Sequence, residues 1–75
     1  MTDWRKINYF LNQVEDELGR EFASSYYIRI ENFENDRVSI AVLNRLNGRV
    51  VATETLSLKQ PPQDAANQLR ITLPK

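Results

Sequence analysis

The stretch Arg37-Val38-Ser39-Ile40-Ala41-Val42-Leu43-Asn44-Arg45-Leu46-Asn47-Gly48-Arg49-Val50-Val51-Ala52-Thr53-Glu54-Thr55-Leu56-Ser57-Leu58 decides the fold. On its first arm Val38, Ile40 and Val42 alternate as in a half-buried strand. On its second arm Val50, Ala52, Glu54, Leu56 and Leu58 hold the even positions, and Val51, Thr53, Thr55 and Ser57 the odd ones. The two arms read as a hairpin, and the loop decides which sets share a face. A two-residue Asn47-Gly48 turn would set even residues against odd. A three-residue loop, Leu46-Asn47-Gly48 with a left-handed glycine in a G1 bulge, pairs even with even. Because a slip of one residue sends every side chain to the other face, the three-residue loop is expected.

Working upstream, Tyr26, Ile28 and Ile30 alternate with Tyr27, Arg29 and Glu31 in a further strand. It joins the hairpin through Glu34-Asn35-Asp36, residue types that turns favour. An odd loop there sets Ile30 near Ile40 and Ile28 near Val42, so the first arm of the hairpin is the central strand. Before it, Trp4, Ile7, Leu11, Val14 and Leu18 recur at helical spacing. Thr2 or Asp3 can cap that helix, and Gly19 suits its end, although Phe22 continues the stripe. Downstream, Gln60-Pro61-Pro62 stops the last strand. Pro62 can open a short helix over residues 63–69, with Ala65, Ala66 and Leu69 on one side. Residues 70–73 either extend that helix or form a last strand before Pro74. The expected fold class is α+β: an N-terminal helix packed on a three-stranded antiparallel meander sheet, then a short C-terminal helix, in one small domain over residues 1–75.

This order, helix-strand-strand-strand-helix, resembles that of the double-stranded RNA-binding domain. Asn47-Gly48-Arg49-Val50-Val51 falls where that family has its comparable turn. The resemblance implies phosphate-holding lysines at the start of the second helix and an RNA-contacting first inter-strand loop. Here those places read Pro61-Pro62-Gln63-Asp64-Ala65-Ala66, and a loop region carrying Glu31, Glu34 and Asp36. The likeness is one of architecture.

Composition narrows the chemistry. The 75 residues include no cysteine and no histidine. Disulfides, thiolate metal sites, the usual zinc sites and Ser-His or Cys-His catalysis are therefore ruled out. No catalytic or cofactor signature is present, so the expectation is a non-enzymatic protein without a cofactor. No apolar run is long enough to span a bilayer and there is no signal-peptide core, which points to a soluble, cytoplasmic protein. Charge is balanced overall but not along the chain. Residues 1–36 hold eight acids against four bases, and residues 37–75 hold six bases against two acids.

The register yields a candidate site on the outer sheet face. One row across the strands reads Tyr27, Leu43, Val51, and the next reads Arg29, Ala41, Thr53. Arg45 and Arg49 flank the loop, directly opposite each other, while Arg37 and Phe33 stand at the far end. Tyrosine and arginine around an apolar centre are favoured in protein interfaces. The partner-binding set is therefore Tyr27, Arg29, Leu43, Arg45, Arg49 and Val51, unless the tail with Leu69, Ile71 and Leu73 folds over it. A nucleic-acid partner is the alternative, with the same arginines on phosphates and with Tyr27 and Phe33 as stacking platforms. Net neutrality and an acidic helix weigh against it.

Three smaller features complete the reading. The first helix opposes its own dipole, with Arg5 and Lys6 in the first turn and Glu15, Asp16 and Glu17 near the end. Its outward face shows Tyr9, and two such helices laid antiparallel would match charges in a homodimer. Glu54 faces inward on an edge strand, where a charge discourages further pairing. The Glu31, Glu34, Asp36 group is a weak calcium candidate, lacking an EF-hand's glycine and spacing.

Overall fold

The computed structural model describes residues 4–73. Its order is α1 (Trp4–Ser25), β1 (Tyr26–Glu34), β2 (Arg37–Asn44), β3 (Val50–Ser57) and α2 (Pro62–Thr72). The three strands form one antiparallel sheet in the order β1-β2-β3, an α+β arrangement with β2 central. The proposed caps Thr2 and Asp3 lie outside the described residues. Residues 70–72 extend α2, which settles the alternative at the tail in favour of helix. Pro62 stands in its first turn, where the missing N–H costs nothing, and Asp64 and Arg70 suit the two ends of its dipole.

The core lies between one sheet face and the two helices. Ile7, Phe10, Leu11, Val14 and Phe22 of α1 join Val38, Ile40 and Val42 of β2, Ala52 and Leu56 of β3, and Ala65, Ala66 and Leu69 of α2. Ala65 and Ala66, both fully buried, let α2 come close to α1 along its length. α1 is in closer contact with α2 than with β1, and the inward side chains of β1 (Tyr26, Ile28, Ile30 and Phe33) are only half-buried. One expectation needs correction here, and one core residue is added. Trp4 is not a core residue but 50% exposed, packed edge-on against Phe33 with ring centroids 4.8 Å apart. Phe10, one turn from Ile7 and Val14 on the same stripe, fills the core beside Leu11.

α1 does not run straight. Gly19 has φ 89 and ψ −179, which breaks the helix and then lets residues 20–25 resume it. That region of backbone space is essentially open to glycine alone. The break turns Phe22 back into the core, where its ring meets Tyr26 at 5.6 Å between centroids. A broken helix leaves carbonyls without intrahelical donors, and the Arg70 guanidinium of α2 donates to the Glu17 carbonyl.

Neither loop has the length that the alternation suggested, yet the body of the sheet has the expected register. Ile30 pairs with Ile40 and Ile28 with Val42, while Val42 pairs with Ala52 and Val38 with Leu56. The first turn contains two residues, Asn35 and Asp36, because Glu34 itself pairs with Arg37. Asn35 takes φ 56, a left-handed conformation that its short amide side chain tolerates. An irregularity between Ile30 and Asn32 restores the pairing. The hairpin loop holds four residues, Arg45 to Gly48. It is closed by Asn44 N–H to the Arg49 carbonyl at 2.9 Å and Gly48 N–H to the Asn44 carbonyl at 2.8 Å. Gly48 is left-handed as expected, with φ 69, but the compensating irregularity lies at Val51, where Leu43 pairs with Val50.

Candidate functional site

The outer sheet face is the site that the sequence singles out, and the two irregularities decide what stands on it. Past Glu31 the parity of β1 switches, so Phe33 pairs with inward Val38 and packs under the sheet. It is therefore neither part of the outer rim nor a stacking platform. Val51 likewise leaves the outer row: it is half-buried and packed against the core. Val50, 48% exposed, takes its place beside Leu43.

The outer rows now read Tyr27, Leu43, Val50; then Arg29, Ala41, Thr53; then Asn32, Ser39, Thr55; then Glu34, Arg37, Ser57. Ala41 and Leu43 are buried but do not belong to the helix-covered cluster. Their cross-strand neighbours on this face are Arg29 and Thr53 for Ala41, and Tyr27 and Val50 for Leu43. Tyr27 is 36% exposed, and beyond the row the loop residue Leu46 stands 96% exposed. The apolar end of the face is thus formed by Tyr27 and Val50, with Leu46 at the adjoining loop tip. The last two were missed from the alternation, although an aliphatic residue at a polar hairpin tip is itself a signal.

The expected tail cover is not there. Leu69 is in the core with α1, Leu73 packs against that core, and Ile71 points to solvent at 86% exposure. α2 therefore sits on the inner face together with α1.

The arginines divide into engaged and outward-facing ones. Arg45 and Arg49 are not opposite each other, since Asn44 bonds to Arg49 instead. The Arg45 backbone N–H donates to the Ser25 carbonyl at 3.0 Å and its Nε to the Ala23 carbonyl at 2.5 Å. Its guanidinium lies 5.6 Å from the Tyr27 ring centroid, a cation–π contact. The like-charge clash across the strands is thereby removed. Arg29 is paired with Glu31 on its own strand at 2.5 Å. Arg49 is exposed, with its backbone N–H held by Asn47 Oδ1 at 2.9 Å.

The polar end of the face opens into a shallow cleft of about 630 Å³ lined by Asn32, Glu34, Arg37, Ser39, Thr55 and Lys59. Part of its polar lining is already paired. Ser39 and Thr55 hydroxyls bond at 3.2 Å, and Lys59 pairs with Asp36 at 3.3 Å. Among the described residues no group of three or more carboxylates is placed to hold a metal ion, so the structure does not gather Glu31, Glu34 and Asp36 for calcium. Glu54 faces inward as expected and is satisfied from α2, accepting from Gln68 Nε2 at 2.7 Å and Thr72 Oγ1 at 2.8 Å.

Among the described residues no helix is long and apolar enough to cross a membrane. No family model, curated protein or solved structure matches the chain.

Proposed function

We propose that the chain is a non-enzymatic protein-binding module whose partner docks on the loop end of the outer sheet face. The observation that supports this most directly is the exposed group of Tyr27, Val50 and Leu46 beside Arg49, with Arg45 laid against Tyr27. An apolar centre with guanidinium groups at its margin fits a segment carrying aliphatic or aromatic side chains with carboxylates next to them. The aromatic and arginine anchors are the residue types that dominate such contacts. A nucleic-acid partner is less well supported. Arg45 is engaged with the Ala23 carbonyl and Arg29 with Glu31, while Phe33 is turned away from this face.

Panning a random peptide library against the chain tests the reading. Enriched peptides should combine apolar and acidic residues. Their affinity should fall at least about tenfold, roughly 1.4 kcal/mol, in a Leu46→Asp, Arg49→Glu double variant. Both positions are exposed, so the variant should keep the wild-type melting curve. Peptide binding indifferent to the double substitution would overturn the assignment. So would steeply salt-dependent binding of labelled RNA at this face in place of peptide.

A further inference from the structure

The two edges of the sheet are treated differently. Along β3, α2 acts as a clamp: Gln68 and Thr72 hold inward Glu54, and Gln68 Nε2 also donates to the Thr55 carbonyl at 3.3 Å. An inward charge and a covered edge are the usual means of preventing a further strand from adding. Among the described residues, no side chain of α2 reaches β1 in this way. β1 is also the least covered strand, since none of its nine residues is fully buried. Its inward Tyr26, Ile28 and Ile30 are half-buried, whereas Val38, Ile40 and Val42 on β2 are fully enclosed. Half-exposed Trp4 on Phe33 prolongs this apolar strip.

We infer that the free edge of β1 is a self-association surface, two copies pairing antiparallel through Tyr26–Ile30 about a two-fold axis at Ile28. The occupant follows from the strand's own residues. A two-fold at Arg29 would set that charge against itself, which is destabilising. A two-fold at Ile30 carries the pairing past Glu31, where the parity switches and outer Asn32 would face the partner's inward Ile28. With the axis at Ile28, every pair shares one face. Tyr26 meets the partner's Ile30, and Ile28 meets its own copy, which extends the apolar strip beneath the helices. On the outer side Tyr27 lies across from the partner's Arg29, and this happens twice, as a closed isologous interface requires. Each such pair places a guanidinium beside a phenol ring. The bulge then has a role: it limits pairing to these five residues and stops the edge from zipping into longer aggregates. The product is a six-stranded sheet with all helices on one side. This inference concerns the edge and does not depend on the outer-face reading.

Sedimentation of the full chain across micromolar to millimolar concentrations tests it, together with hydrogen exchange read by mass spectrometry. The mass should rise from 8.8 kDa toward twice that value. Amides in residues 26–30 should slow with concentration while those in residues 50–57 do not change. Ile28→Lys, a charge on the paired inward face, should return the chain to a monomer, and Leu46→Asp with Arg49→Glu should leave the dimer intact. If Ile28→Lys does not fold, the exchange pattern of the unmodified chain decides alone. A monomer at every concentration, or a dimer whose protected amides lie in β3 or α1, overturns the inference.

Discussion

Replacing Gly19 by alanine separates two accounts of α1 by the sign of the effect. In a regular helix interior, exchanging glycine for alanine stabilises by about 1 kcal/mol. At Gly19 the backbone has φ 89 and ψ −179, where an L side chain is strained by about 1–3 kcal/mol. A Cβ built there would meet nothing within 4 Å, so the cost comes from the backbone and not from a clash. The chain can escape it only by straightening the helix, which would withdraw Phe22 from the core and from Tyr26. Gly19→Ala should therefore lose about 1–3 kcal/mol in urea melts. Each kcal/mol lowers the midpoint by about 4–8 °C in a domain of this size. A chemically synthesised chain with D-alanine at this position gives the control. For a D residue the same angles mirror the allowed extended region, so the loss should vanish or become a gain of about 0.4–1 kcal/mol. Stabilisation by L-alanine would refute the break at Gly19.

Two further outcomes follow from the core and from α1. Ile40, 1% exposed at the centre of β2, should cost about 2–5 kcal/mol when cut to alanine, against a total stability of about 5–15. A loss under about 1 kcal/mol in the same urea melts would show that the inward face is misassigned. Glu15 is held above the ordinary carboxylate value of 4.5, mainly because burial disfavours its charge, with Arg45 pulling it down and Asp16 pushing it up. The folded chain therefore binds this proton more tightly than the unfolded chain. That stabilisation is full below pH 4.5 and is lost as pH rises through the elevated folded value. Glu15→Gln should consequently raise the urea midpoint at neutral pH and show no such gain in acid. An equal midpoint at neutral pH would contradict the shift.

The fold was legible because alternation and helical spacing record burial, and burial fixes the faces. Ile28, Ile30, Ile40, Val42, Ala52 and Leu56 all point where their spacing says. Loop length is different: it is set by backbone hydrogen bonds such as Asn44 to Arg49, which leave no apolar pattern. The candidate site inherited that weakness. Tyr27, Arg29 and Leu43 lie where alternation puts them, whereas Val51 yielded its place to Val50 through one irregular pair. Arg45 was readable as a charge but not as a tether, since its acceptor is a helix-end carbonyl 22 positions away. Trp4 keeps the helical spacing of the stripe but packs on half-buried Phe33 outside the core, and the spacing of one helix does not reveal which of its turns the sheet covers.

The two irregular pairings have a consequence for how this chain can change in length. Each hairpin contains one residue more than its pairing needs, Glu31 in the first and Val51 in the second. A one-residue deletion near either loop can therefore be absorbed by ironing out the adjacent bulge, leaving Ile30 against Ile40 and Val42 against Ala52. The loop tips can thus be shortened without moving Ile30, Ile40, Val42 or Ala52, but the change turns Phe33 or Val51 from the core side to the outer face.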